Sequence, residues 1–346
     1  MAKRLLVAAL ALGTGISLLS GCVGNSTKPA KDAARSSKAP AWVTQPPQMR
    51  GMAYGIGSME IYGSATDAVK RAAELARIDL VSQLKVTVSG DFSSETVELS
   101  GTNRDSEVLR TVRNYVRSQV PPAELDEVQI SETHTDAKYA YALAELDRNA
   151  AAARLRRDMN DIEQELSAIG ELQPSGNRLQ QLQPLLPALT LFAKRERLGE
   201  RLTLISMERK APALSPELKA LQDRIYAQID QLQVSLELLD DGAQTIGGGV
   251  LEALTSQGLR IQDGSDADLR FDISAQLSGK AKDGSHYVFA DSRVTIRDGA
   301  GRVLSSFSKQ AKGVSGLEDV ARQKAAREVA KLIGDELAVA LVDKIR

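Results

Sequence analysis

MAYGIGSMEIYGSATDAVKRAAELARIDLVSQL, residues 52–84, sets the first half of the fold. Met52, Tyr54 and Ile56 alternate as in a short strand that carries Gly55, Gly57 and Ser58. Ser64 can then cap a helix, because its hydroxyl accepts from backbone N–H groups that a first turn leaves unpaired. Ala65, Val69, Ala72, Ala76, Leu80 and Leu84 recur at three- and four-residue steps, the mark of an amphipathic helix. Its buried face is mostly alanine, so it can lie close to a sheet. From Lys85 to Ser89 the pattern switches to period two, with Val86 and Val88 on one face, and predicts a strand.

Upstream, Lys3 and Arg4 precede an uncharged apolar run, Leu5 to Leu18, and then Leu19, Ser20, Gly21 and Cys22. The run falls short of the ~20 apolar residues that span a bilayer and stops at small residues, which predicts a cleaved signal peptide over residues 1–21. The ending resembles a lipobox, where bacterial lipoprotein maturation joins diacylglycerol to the cysteine sulfur, cuts before it and acylates the new amino terminus. An ordinary signal with an incidental cysteine is the alternative, but Cys22 is the sole cysteine of the chain. Each buried methylene contributes about 0.8 kcal/mol, and two or more acyl chains hold a protein stably at a membrane. Cys22 is therefore the expected lipidation site, carrying palmitate or similar chains. Val23 follows it. In Gram-negative lipoproteins an aspartate there signals retention in the inner membrane, so its absence implies the outer membrane. The rest of 22–40, rich in Ser, Lys and Ala with Pro29 and Pro40, reads as a lipidated tether.

Downstream, Asp105 to Gln119 read as a helix ended by Pro121 and Pro122. Residues 126–134 and 138–146 read as an antiparallel pair turned at Asp136 and Ala137. These complete an α/β domain over 41–148. A helical connector, 149–230, follows: Leu155, Met159, Ile162, Leu166 and Ile169 step as a heptad seam. Gly170 to Asn177 break it. A second run holds Leu179, Leu182, Leu186, Leu189, Leu198, Leu202 and Ile205, with Pro184 and Pro187 expected to kink it or delay its start. Ser215 and Pro216 open a third. Such seams close within one chain or across a dimer, and the oligomeric state stays open. A C-terminal α/β domain spans 231–346: a strand through Val234, Leu236 and Leu238, a helix from Ala243 to Gln257, and a short strand at Leu259 and Ile261. Three longer strands follow, the last two turned at Asp298 to Gly301. Ser315 and Glu318 form an expected capping box for a last helix with Leu317, Val320, Val329, Leu332, Ile333, Leu337 and Leu341 on its core face. The fold class is α+β: two sandwich-like α/β domains joined by a helical hairpin.

Pro40 to Val43, then Tyr54 to Ser58, then Ala72, Ala73, Ala76, Arg77 and Leu80, and finally Tyr139 to Leu143 into Asp147 and Arg148, resemble the LPP-twenty lipoprotein family over about a third of the chain. That resemblance implies an envelope lipoprotein of structural role, with relatives among flagellar assembly lipoproteins, and brings no catalytic motif. The C-terminal order of elements, with Asp266, Ala267 and Asp268 before its strands, resembles the α/β sandwich of the curli secretion lipoprotein and of the Tol translocation protein.

Charge is balanced, with 44 Lys and Arg against 45 Asp and Glu, so no basic excess points to nucleic acid. At 4% aromatic residues the chain lacks the girdles of a transmembrane barrel. With Cys22 acylated, no thiol remains for a disulfide or a cysteine metal site. His134 and His286 sit singly in predicted strands, so no metal or other cofactor is expected. Gly55, Ile56, Gly57 and Ser58 lack the closing glycine of a nucleophile turn. Gly247, Gly248 and Gly249 lack the Lys-Ser/Thr of a phosphate loop and fall in a helix, where close packing against the sheet is the expected explanation. Asp240 and Asp241, a carboxylate pair, precede Gly242 as turn-capping acids do. Arg154, Arg156, Arg157, Lys194, Arg195 and Arg197 are expected to face solvent. These readings predict no enzyme. They predict a structural or assembly factor of an envelope complex, bound to the membrane through Cys22 and to envelope proteins, flagellar ones being suggested by the family relatives. The alternative is a secretion or pore-forming subunit like the curli protein. Periplasmic and surface orientations both stay open.

Overall fold

The computed structural model describes residues 39–91, 107–120, 126–256, 258–262, 264 and 267–343. The signal peptide, Cys22 and the tether as far as residue 38 lie outside the described residues, as do Pro121, Pro122, Gln257 and Asp266.

A single turn, α1 (Ala41–Thr44), buries Trp42 ahead of β1 (Met52–Glu60). Helix α2 (Ala65–Asp91) is capped by Ser64, whose Oγ accepts from the Asp67 N–H at 3.2 Å, and packs on the first sheet. Its buried stripe starts at Ala68, because Ala65 lies exposed in the first turn, and continues through Ala72, Ala76, Leu80 and Leu84. The contact is close because the strand is bare: a Cβ at Gly55 or Gly57 would collide with the carbonyl oxygens of Ala76 and Ala72. The strand predicted at 85–89 does not form; the helix runs through it to Asp91. Extending a helix costs far less than starting one, and two valines in period two do not outweigh that. Helix α3 (Glu107–Gln119) buries Leu109, Val112 and Val116. Strands β2 (Gln129–Thr135) and β3 (Tyr139–Asp147) then complete an antiparallel sheet of order β1-β3-β2. The expected turn between them is held by Asp136, whose Oδ1 accepts from the Lys138 and Tyr139 N–H groups at 2.7 Å.

Helix α4 (Arg148–Gly170) starts on the residue after β3 ends, capped by the Asp147 carboxylate. Next come α5 (Arg178–Leu182), one 3-10 turn at Gln183–Leu185 that contains Pro184, and α6 (Pro187–Ile205), with Pro187 at its first position. Helix α7 (Pro216–Asp230) is capped by Ser215 as expected. The α4 seam closes within the chain, against α6. This helical layer belongs to two cores. At one end Leu155, Met159, Leu202 and Ile205 pack with the first sheet and α2. At the other, Leu166, Leu179, Leu182, Leu221 and Ile225 join a second core that includes α3, which packs on α6, α7 and a C-terminal helix.

The second sheet is built from β4 (Gln233–Leu238), followed by α8 (Asp241–Ser256), then β5 (Arg260–Ile261), β6 (Leu269–Lys282), β7 (Ser285–Asp298) and β8 (Val303–Ser315), with α9 (Glu318–Asp343) last. Its order is β5-β4-β6-β7-β8; β4 pairs in parallel with β5 and β6, and β6, β7 and β8 form the antiparallel meander. Helices α8 and α9 pack against it and against each other, burying Ile246, Val250, Val329 and Ile333 in one core with Phe271, Ile273, Val294 and Ile296. The expected capping box is absent. Ser315 still belongs to β8, its Oγ accepts from the Leu317 N–H at 3.4 Å, and Glu318 turns to Arg322. Leu317 is 67% exposed and outside the core, and the side chains of Leu337 and Leu341 lie outside the described residues. No helix among the described residues is long and apolar enough to cross a membrane.

Candidate functional site

The residues singled out in the sequence do not converge. His134 on β2 and His286 on β7 stand half-buried on different sheets, and His134 stacks on Tyr141 with ring centroids 6.3 Å apart. Among the described residues no group of three or more His, Cys, Asp and Glu is placed to hold a metal ion. Asp240 is committed to structure: its Oδ1 accepts from the Ala243 N–H at 2.7 Å, capping α8, and from the Ala275 N–H of β6 at 3.1 Å. Gly247 packs on the sheet as expected, since a Cβ there would stand 2.5 Å from Leu238 Cδ1 of β4, whereas Gly249 faces α9, where a Cβ would stand 3.0 Å from Ala330 Cβ. Gly248 faces open space.

Of the two basic runs, Arg154, Arg157 and Lys194 are exposed, and Arg156 reaches Glu208 at 2.6 Å. Arg195 is not on the solvent face. It is 8% exposed between helices, with Nε donating to Glu163 at 2.9 Å and Nη2 to the Pro212 carbonyl at 2.6 Å. Arg197 is also drawn inward, pairing with Glu200 at 3.2 Å. Arg195 is covered because α4 packs against its side of α6 and brings Glu163 to it; Arg197, about 200° round the same helix, is only half-buried and pairs within α6.

What the sequence reading passed over is the second face of the second sheet. β4 ends at Leu238, opposite Ile273, but β6 runs on to Lys282. The meander therefore continues past its neighbour as a free tip. Asp283 and Gly284, at φ 49° and 71°, close the β6–β7 hairpin with the two-residue turn whose twist matches that of its strands. Side chains alternate across a sheet, and the apolar set faces the helices. The opposite face carries Ser274, Gln276, Ser278 and Lys280 on β6, Arg293, Asp291, Phe289 and Tyr287 on β7, and Ser308, Gln310 and Lys312 on β8.

Register sets the chemistry of that tip. Lys280 is opposite Tyr287 and Phe289 is opposite Lys312. Each lysine leans diagonally over the other ring: Lys280 Nζ lies 5.4 Å from the Phe289 centroid and Lys312 Nζ 5.9 Å from that of Tyr287. Neither ammonium has an ion pair among the described residues. The base of the face is different. Asp272, 7% exposed, accepts from Arg270 Nε at 2.9 Å and Arg297 Nε at 2.5 Å, and Arg297 also donates to the Gly301 carbonyl. Acid is thus neutralised at the base, and at the tip Lys280 and Lys312 have no carboxylate partner among the described residues. At the β7–β8 turn, Asp298 accepts from the N–H groups of Ala300 and Arg302 and from Arg302 Nε at 2.7 Å. Burial raises its carboxyl pKa, but the hydrogen bonds and charge of Arg302 and the Ala300 N–H outweigh burial and hold it below the ordinary range. Asp-Gly at 283–284 was the sequence signal for the hairpin. Nothing local announces the quartet, whose members come from three strands.

No family model and no curated protein matches the chain. Among solved structures it is similar to the secreted protein HP1454 from Helicobacter pylori, at 17% identity over 83% of this chain and 98% of that one, with a TM-score of 0.44. It is also similar to a minor lipoprotein from Acinetobacter baumannii, at 13% identity over 32% of this chain and 90% of that one, TM-score 0.26. A third is the lipoprotein GNA1162 from Neisseria meningitidis, at 11% identity over 33% and 97%, TM-score 0.22. These neighbours are secreted proteins and lipoproteins, and none of the three TM-scores reaches 0.5.

Proposed function

We propose that the chain is a non-enzymatic lipoprotein of the outer membrane, held by acyl chains on Cys22 and serving as a structural or assembly factor of an envelope complex. Leu19, Ser20, Gly21 and Cys22, after a basic start and a short apolar run, carry this reading. Its N-terminal resemblance to the LPP-twenty family belongs to the same proposal. Action by protein–protein contact has support in the fold: β8 is a 13-residue strand at the end of its sheet, and its outer edge pairs with no strand among the described residues. An edge strand of that length can offer backbone groups to a strand from a partner.

Two measurements test the reading. Cells fed radiolabelled palmitate should label the native chain and not Cys22→Ser, which should leave the membrane fraction; equal labelling of both would remove the anchor. Affinity recovery from gently solubilised envelopes should bring down a specific envelope protein with the native chain. Recovery of none, or a small-molecule turnover abolished by a point substitution, would count against a scaffold.

A further inference from the structure

The free tip of the second sheet has a chemistry that the Cys22 anchor does not require. We propose that Lys280, Tyr287, Phe289 and Lys312 dock this tip on the anionic surface of a phospholipid bilayer. The two ammonium groups are exposed, lie over ring faces and have no carboxylate partner among the described residues. The nearby acids do not cancel them. Asp283 is at the turn beside Lys282, 4.0 Å away, and Asp291 stands two positions farther down the face, between Gln276 and Gln310. Asp272 is already held by two arginines.

Charge therefore selects an anionic surface, and the rest of the face selects a bilayer over a folded protein. A protein partner covering this face would have to strip water from two lysines. At a bilayer their stems and the two half-buried rings lie at the headgroup boundary while the ammonium groups stay hydrated among phosphates. Ser278, Gln276 and Gln310 keep the rest of the tip polar, so it adsorbs and does not insert. Helices α8 and α9 occupy the other face, and β4 stops short of the tip. The docking is independent of acylation at Cys22.

The test is sedimentation of the full chain carrying Cys22→Ser, which has no acyl anchor, with vesicles of phosphatidylcholine alone or with about one-third phosphatidylglycerol. Each lysine near such a surface is worth about fivefold in binding, so Lys280→Ser with Lys312→Ser should weaken binding to the anionic vesicles about 30-fold. Added salt should weaken it too. Lys280→Arg with Lys312→Arg should bind like the parent, which separates loss of charge from loss of fold. Equal binding to both vesicle types, or unchanged binding by the double serine variant, would overturn the proposal. So would binding to a soluble anionic polysaccharide with no binding to either vesicle.

Discussion

Gly57 lies against the carbonyl oxygen of Ala72, with no room for a Cβ between strand and helix. The second sheet repeats the device, with Gly313 against the Ala321 carbonyl and the Ala325 N–H. In both sheets backbone meets backbone. Neither side can move aside as a side chain would, so Gly57→Ala is expected to cost about 3 kcal/mol, the upper part of the range for overpacking. Urea unfolding followed by circular dichroism should show the lowered midpoint; an unchanged midpoint would mean that α2 rides farther from β1.

Gly248→Ala is expected to act in the opposite direction. It sits inside α8 with no atom within 4 Å of a new Cβ, so the usual helix penalty of glycine, about 1 kcal/mol, should be recovered as a higher Tm. Gly247→Ala should recover less, because it must push Leu238 aside. A lowered Tm for Gly248→Ala would mean that something covers that face of α8.

Arg195 and Glu163 form a pair that should be worth more intact than either half alone. Arg195→Ala leaves the Glu163 carboxylate and the Pro212 carbonyl without their donor, and should cost about 3 kcal/mol. Replacing both residues with leucine should cost far less. A double-mutant cycle decides, and additive costs would show that the pair is not coupled.

Asp298 makes the β7–β8 turn sensitive to acid. Its carboxyl pKa is lower in the folded chain than in the unfolded one, so its contribution is full above the ordinary carboxylate range and is lost as pH falls through the folded value. Asp298→Ala should cost about 2 to 4 kcal/mol at neutral pH, since two N–H groups and a guanidinium lose a buried acceptor. The difference between parent and variant should shrink below about pH 4. A difference that stayed constant into acid would assign the cost to packing.

Periodicity made most of the fold legible: the alanine helix on β1, the connector helices with the second run's start delayed by Pro184 and Pro187, and the succession of strands along the C-terminal part of the chain. It failed where two periods compete. Val86 and Val88 fit period two, but the helix that reaches them is already paid for. It failed again at Arg195, because a basic residue next to an apolar stripe is buried or exposed according to how far the neighbouring helix wraps round. The tip quartet was beyond reach for another reason: Lys280 and Lys312 meet the same two rings only after two strand registers are fixed. Cys22, the one site residue read from sequence, lies outside the described residues.

Helix α4 begins where β3 ends, and only Gln231 and Leu232 separate α7 from β4. Arg148, the first residue of α4, also clasps the end of α6, donating to the carbonyls of Ile205 and Ser206 at 2.6 and 2.9 Å. A pull on the end of α6 would therefore reach the β3–α4 junction directly through Arg148. That strand is the middle one of its sheet, bonded to β1 on one side and β2 on the other, so both ladders bear the load at once. Arg148 is thus a clasp through which the end of α6 bears on the first sheet.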